Sequence, residues 1–87
     1  MVWKIRFTKQ ADKALRKLDK SIAGRIIDLL EEVSHLDDPH VRGKGLSGNL
    51  AGLWRYRVGD YRVVCSIEAN ELVILVVDLG HRHQIYK

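Results

Sequence analysis

One segment near the C-terminal end constrains the fold more than any other. Residues 72–79 read Leu-Val-Ile-Leu-Val-Val-Asp-Leu, which is an almost unbroken aliphatic run. Such a run is typical of an interior β-strand that is covered on both faces. It is far too short for a membrane helix, which needs about 20 apolar residues. We therefore predict that this segment is a central strand and that Gly80 ends it.

Hydrophobic periodicity predicts the other elements. Thr8 is a suitable N-cap for the first helix, Asp19 or Ser21 for the second, and Asp37-Asp38-Pro39 is expected to end the second. The remaining assignments are a strand over 2–7, helices over 9–18 and then to about residue 36, a glycine-rich loop over 39–52, and strands over 53–58 and 61–67. The order β-α-α-β-β-β predicts an α+β fold, with a helical hairpin packed on a mainly antiparallel sheet. We expect one domain that spans residues 1–87.

Length and cysteine content exclude several classes of protein. The chain has 87 residues and one cysteine, Cys65, so an intrachain disulfide and a CxxC zinc finger are both excluded. Charged residues occupy the start of the chain, where a secretory signal would need an apolar core. We therefore expect a cytoplasmic protein with no membrane partner.

Positive charge is concentrated in the middle of the chain. Residues 39–67 carry five basic side chains and one acidic side chain, which gives that segment a net charge of +4. Arg42 and Lys44 lie in its glycine-rich loop and are candidate RNA-binding residues. A positive field of this kind predicts a polyanion or an acidic protein segment as partner.

The strands around the Gly59-Asp60 turn carry the clearest chemical signal. A two-residue turn places Arg57 opposite Arg62, and alternation places Arg55 on the same face. The hairpin strands contribute no acidic residue to this face, although like charges directly opposite each other are destabilising. An anion site is therefore predicted there. A solvated basic face, or pairing with an acidic residue from a helix, remains open.

The C-terminal segment supplies a second candidate set: His81, Arg82, His83 and Tyr86. Histidine transfers protons near neutral pH, and tyrosine stacks on bases. Together with the three arginines, these residues have the chemistry for metal-independent phosphodiester cleavage. A frayed terminus with ordinary polar residues is an equally good interpretation of the spacing. We expect no metal site, because the His-x-His pair has no third ligand, and no cofactor.

Two segments resemble the RelE branch of the RelE/ParE toxin superfamily. They are LAGLWRYRVGDYRVV at 50–64 and VVDLGHRHQIYK at 76–87. The resemblance implies the microbial-ribonuclease-like fold and a ribosome-dependent mRNA interferase. Such a toxin cuts mRNA in the ribosomal A site, where the RNA's 2′-hydroxyl attacks the neighbouring phosphate. The products are a 2′,3′-cyclic phosphate and a 5′-hydroxyl.

The resemblance also implies individual roles. Arg62 matches the phosphate-binding arginine, Arg82 the arginine that stabilises the transition state or leaving group, and Tyr86 the tyrosine that orients the nucleotide. Arg55 and Arg57 stand where the family carries lysines. Arginine cannot act as a general base, so we hypothesise that His81 or His83 takes part in proton transfer.

The resemblance finally implies partners and competing functions. A RelB-like antitoxin, the ribosome and mRNA are the expected partners, with operator DNA reached only through the antitoxin. A ParE-like gyrase inhibitor and a non-catalytic basic module that binds RNA or antitoxin are the alternatives, and a decayed toxin that retains only antitoxin binding is a weaker one. A cleavage assay and a supercoiling assay separate the first two from the interferase.

Overall fold

The fold is a five-stranded mixed sheet with two helices on one face. We analysed a computed structural model, which describes residues 2–81; Arg82, His83 and Tyr86 lie outside the described residues. The strand order is β1-β5-β4-β3-β2, with β1 parallel to β5 and the other pairs antiparallel. The elements are β1 (Lys4–Phe7), α1 (Lys9–Arg16), α2 (Lys20–Ser34), β2 (Lys44–Gly45), β3 (Trp54–Val58), β4 (Tyr61–Glu68) and β5 (Val73–His81). The predicted α+β architecture is confirmed, with β2 as an additional short strand in the loop.

Side-chain caps begin both helices. Thr8 Oγ1 accepts a hydrogen bond from the Ala11 amide at 3.1 Å, and the Asp19 carboxylate accepts one from the Ser21 amide at 3.3 Å. Both helices end about two residues earlier than the periodicity predicts. Helix α2 ends at Ser34, before the predicted stop at Asp37-Asp38-Pro39. Asp38 instead caps the short 3₁₀ turn Pro39–Val41.

The hydrophobic core lies between the helices and one face of the sheet. Ile26, Leu30 and Val33 of α2 are buried, as are Val63 of β4 and Ile74 of β5. Among the described residues no helix is both long and apolar enough to cross a bilayer. Both α1 and α2 pack on this one face, so among residues 2–81 helices cover the segment 72–79 on one face only, where two covered faces were expected.

Strand β5 differs from the predicted strand at both ends. Leu72 has a left-handed backbone (φ 55°) after a 3₁₀ turn, so the strand begins at Val73. Gly80 does not end it, because Gly80 pairs with Arg62 and His81 pairs with Tyr61. A β-bulge lies between these ends: Cys65 pairs with Val76 and Val64 with Asp78. Strand β5 therefore has one additional residue at the bulge, and this changes the direction of the strand residues that follow it.

A close backbone approach fixes the short strand β2. Gly43 has φ +81°, and a Cβ there would collide with the carbonyl oxygen of Arg55 and lie 2.9 Å from Trp54 Nε1. The absence of a side chain at Gly43 therefore lets the loop run against β3, so that Lys44 pairs with Arg55.

We expect Gly43→Ala to destabilise the protein far more than Gly48→Ala. Both positions have positive φ, so each alanine costs about 1 kcal/mol of backbone strain. Gly48 has open space around it, whereas alanine at 43 must also displace the β3 backbone, which adds about 1–3 kcal/mol. Urea unfolding of the two variants measures the difference. Equal midpoints would contradict the close approach.

Candidate nucleic-acid interface

The face of the sheet opposite the two helices brings the basic residues of three strands together. Trp54 pairs with Cys65, Tyr56 with Val63 and Arg57 with Arg62, so the predicted hairpin register is confirmed. The four basic residues that share this surface are Lys44 of β2, Arg55 and Arg57 of β3, and Arg62 of β4. We call them the arginine face.

One row of the arginine face runs across four strands. Lys44 pairs with Arg55, Arg55 with Val64, and Val64 with Asp78. Val64 is only 2% exposed, although it is not part of the hydrophobic cluster between the helices and the sheet. Beside it, Arg55 Nε is buried and has no hydrogen-bond acceptor among the described residues. A buried donor of this kind favours an acceptor from a ligand.

Within residues 2–81, the salt bridges leave Arg55 and Arg57 without a carboxylate partner. The salt bridges within residues 2–81 are Arg16–Asp12, His40–Asp38 and Arg42–Glu32. None of these involves Arg55 or Arg57, so a helix carboxylate does not neutralise them. Asp78 is the nearest acidic residue by register, and its Oδ1 accepts a hydrogen bond from the Leu79 amide at 2.9 Å. Sequence reasoning missed Asp78, because only the bulge at Val77 sets which β4 residue it faces.

Arg42 holds the loop in place, while Lys44 belongs to the arginine face. Arg42 Nη1 contacts Glu32 Oε1 at 2.6 Å, and its carbonyl oxygen accepts a hydrogen bond from Trp54 Nε1 at 2.6 Å. A cleft of about 320 Å³ at this edge of the sheet is lined by Arg42, Lys44, Arg55 and Arg57. The two predicted RNA-binding residues therefore lie beside the predicted catalytic arginines.

His81 lies on the other side of the sheet. It pairs with Tyr61, and the two rings meet edge to face with centroids 5.6 Å apart. Both line a groove beside α1. Because adjacent residues of a strand point to opposite faces, Arg62 and Tyr61 direct their side chains away from each other. The structure therefore does not bring the His81 ring together with the arginine face.

Two buried polar side chains serve the core. Burial raises the pKa of the Cys65 thiol to about 12, so this thiol is protonated at neutral pH and is not a nucleophile. The Tyr56 hydroxyl donates a hydrogen bond to the Pro39 carbonyl at 2.8 Å. Within residues 2–81, no group of three or more His, Cys, Asp or Glu side chains could hold a metal ion.

Comparisons with known proteins agree with this fold. Residues 5–86 match the family described as the ParE toxin of the type II toxin-antitoxin system parDE. Toxin RelG of Mycobacterium tuberculosis is 30% identical over 88 residues, covering 100% of this chain and 99% of RelG. The crystal structure of the toxin-antitoxin complex RelBE2 from M. tuberculosis contains a similar chain. It has a TM-score of 0.84 and 28% identity, and the match covers 94% of this chain and 93% of that one.

A more distant structure has the same fold. The archaeal RelE-RelB complex from Pyrococcus horikoshii OT3 contains a chain with a TM-score of 0.73 and 28% identity, covering 97% of this chain and 99% of that one. The family match and these relatives each extend over nearly the whole chain. The protein therefore belongs to the RelE/ParE family of toxins from type II toxin–antitoxin systems.

Proposed function

We propose that this toxin is a ribosome-dependent endoribonuclease that cleaves mRNA in the A site without a metal ion. The observation that carries the proposal is the arginine face, where Arg55, Arg57 and Arg62 share one face of the sheet with Lys44. Guanidinium groups bind two phosphate oxygens at once, which suits a phosphodiester better than isolated ammonium groups do.

The proposed reaction needs three contributions. The 2′-hydroxyl loses its proton to an acceptor and attacks the adjacent phosphorus. Arg62, with Arg55 and Arg57, stabilises the negative charge that develops on the phosphoryl oxygens. The bond to the 5′-oxygen breaks, and that oxygen takes up a proton, so that the products are a 2′,3′-cyclic phosphate and a 5′-hydroxyl. Arg82 and Tyr86, which lie outside the described residues, are the proposed leaving-group and orienting residues.

We expect His81→Gln to retain the wild-type pH dependence of the cleavage step. The reason is that His81 faces the groove beside α1 and not the arginine face. Single-turnover cleavage rates between about pH 5.5 and 8 cover the range in which a histidine titrates. The same series on His83→Gln tests the other half of our hypothesis. If the cleavage rate of His81→Gln lost the rise or the fall with pH that the wild type shows, His81 would have to reach the reacting atoms.

Inhibition of DNA gyrase is the second candidate function. Its support is the family description, which names ParE toxins, whereas the similar toxins named above are RelG and RelE chains. The arginine face favours the nuclease, because bidentate phosphate recognition is the chemistry that strand cleavage needs. A non-catalytic basic module is the third candidate.

The proposed partners follow from the same surface. The similar chains in the RelBE2 and archaeal RelE-RelB structures are described in complexes with antitoxin. We propose a RelB-like antitoxin here, whose acidic side chains would neutralise the arginine face. Operator DNA would be reached only through that antitoxin. The ribosome and mRNA would be the targets, which would place the toxin's action in the cytoplasm.

Primer extension on ribosomes programmed with a defined mRNA tests the proposal. The toxin is added with and without ribosomes, and the cleaved ends are analysed chemically. Cuts in the A-site codon that need the ribosome and leave 5′-hydroxyl ends are the expected result. A supercoiling assay with purified gyrase runs in parallel. No cleavage at stoichiometric toxin, together with gyrase inhibition, would replace the proposal with the second candidate.

A further inference from the structure

A second basic groove lies on the helix side of the sheet. It has a volume of about 700 Å³ and lies between α1 and the end of the sheet where β4 begins and β5 ends. Lys9, Lys13 and Lys17 form one wall, and Tyr61 and His81 lie against the other. Its volume lies within the range of about 300–1,000 Å³ that is typical of ligand sites.

Lys9 and Lys13 of α1 and the C-cap residue Lys17 lie along one side of the helix because they are spaced four residues apart. The carboxylate of Asp12, the acidic residue of α1, is 3.0 Å from Arg16 Nε and is engaged there. Within residues 2–81 no carboxylate forms a salt bridge with these lysines. Asp78 also lines the groove, but by register it lies opposite Val64 on the other face of the sheet, and one carboxylate does not balance three lysines. The groove therefore has a net positive charge and fits an anionic occupant.

Tyr61 and His81 indicate which class of anion fits the groove. Tyr61 is half-buried and meets His81 at an interplanar angle of 84°, so that their rings form part of the groove surface. Aromatic side chains beside a row of cations are the usual combination for single-stranded nucleic acid, because bases stack while phosphates contact the cations. An acidic protein segment would use the lysines but would gain less from the rings.

The groove and the arginine face meet at the same end of the sheet. Tyr61 and Arg62 are consecutive residues of β4, and they point to opposite faces just after the β3–β4 turn. A single nucleic-acid strand that leaves the arginine face at Arg62 can therefore pass around this end of the sheet and reach Tyr61.

We propose that this groove binds the backbone of single-stranded RNA that continues from the segment held on the arginine face. The inference rests on RNA being the substrate class in the proposed function. It assigns phosphate contacts to Lys9, Lys13 and Lys17 and base stacking to Tyr61. The toxin would then contact a longer segment of RNA than the arginine face contacts by itself.

Fluorescence anisotropy without ribosomes tests this inference. The probes are 2′-O-methyl RNAs, which cannot be cleaved, of about four and about twelve nucleotides. The test variant is Lys9→Ala with Lys13→Ala. The matched control is Arg16→Ala with Lys20→Ala, which removes the same charge from exposed positions outside the groove.

We expect the test variant to bind the long probe about tenfold more weakly than the control does at low salt. Its log–log salt slope should fall by about 1.4, because each phosphate contact on a single strand contributes about 0.7. The short probe should bind both variants equally. Tyr61→Leu should weaken binding of the long probe without changing the salt slope, since stacking is not ionic. Thermal unfolding of each variant confirms that it is folded.

Three outcomes would overturn the inference. The first is an equal loss in the test and control variants, which would mean that only net charge matters. The second is a loss of the same size with the short probe. The third is that the lysine substitutions leave RNA binding unchanged but weaken the binding of a labelled glutamate-rich peptide. That result would make the groove a protein-binding site. Because no ribosome is present, failure of A-site cleavage would reject the proposed function and leave this result standing.

Discussion

Arg62→Ala is expected to lower the rate of ribosome-dependent mRNA cleavage by about 10²–10³-fold. Arg62 lies directly opposite Arg57 on the arginine face, and in the proposed function both guanidinium groups engage one phosphate. Removing one group that stabilises an oxyanion in a transition state typically costs that factor in the catalytic rate. Arg62→Lys keeps the charge but loses the planar two-point contact, so an intermediate loss of about tenfold is expected.

The control for this series is Arg16→Ala. Arg16 is an exposed residue of α1, and its salt bridge to Asp12 lies outside the arginine face. We expect its cleavage rate to equal that of the wild type, although it removes the same net charge. Single-turnover rates on programmed ribosomes, with melting temperatures within about 5 °C of the wild type, complete the comparison. Equal rates for Arg62→Ala and the wild type would remove Arg62 from the mechanism.

Ile26→Ala is expected to have the largest effect on stability. Ile26 is fully buried between α2 and the sheet, with 0% of its surface exposed. Replacing a buried isoleucine by alanine costs about 2–5 kcal/mol, through lost burial and the cavity left behind. A domain of this size has a total free energy of unfolding of only about 5–10 kcal/mol. The midpoint of urea unfolding should therefore fall by about 2 M or more.

The adjacent residue provides a matched control for that change. Ile27 is 39% exposed on the same helix, so the same substitution there removes little buried surface. Ile27→Ala also gains helix propensity, and we expect its stability to lie within about 0.5 kcal/mol of the wild type. Comparable losses in the two variants would mean that α2 packs through a different face.

The register of the β3–β4 hairpin was predictable from the local sequence pattern. A two-residue turn at Gly59-Asp60 fixes the register of β3 and β4, and strict alternation then assigns every side chain to a face. The pairing of Arg57 with Arg62 was predicted on that basis and is confirmed. The first helix cap, at Thr8, was predictable for the same reason, because a cap depends on a few neighbouring residues.

Features that depend on contacts between distant segments were not predictable in this way. The bulge at Val77 shifts Asp78 and His81 relative to β4, and a single additional residue in a strand leaves no signal in an aliphatic run. The strand β2 exists because Gly43 lies against the backbone of Arg55, a contact between a loop and a strand.

Local periodicity and turn chemistry are enough to predict the α+β fold class, the hairpin register and the arginines that share one face. Local patterns do not show that Lys44 lies on that face or that His81 lies on the opposite side of the sheet. They also do not show that Tyr61 lines a groove together with Lys9, Lys13 and Lys17. The physical reason is that these positions follow from how helices and strands pack across the sheet, and local propensities do not specify that packing.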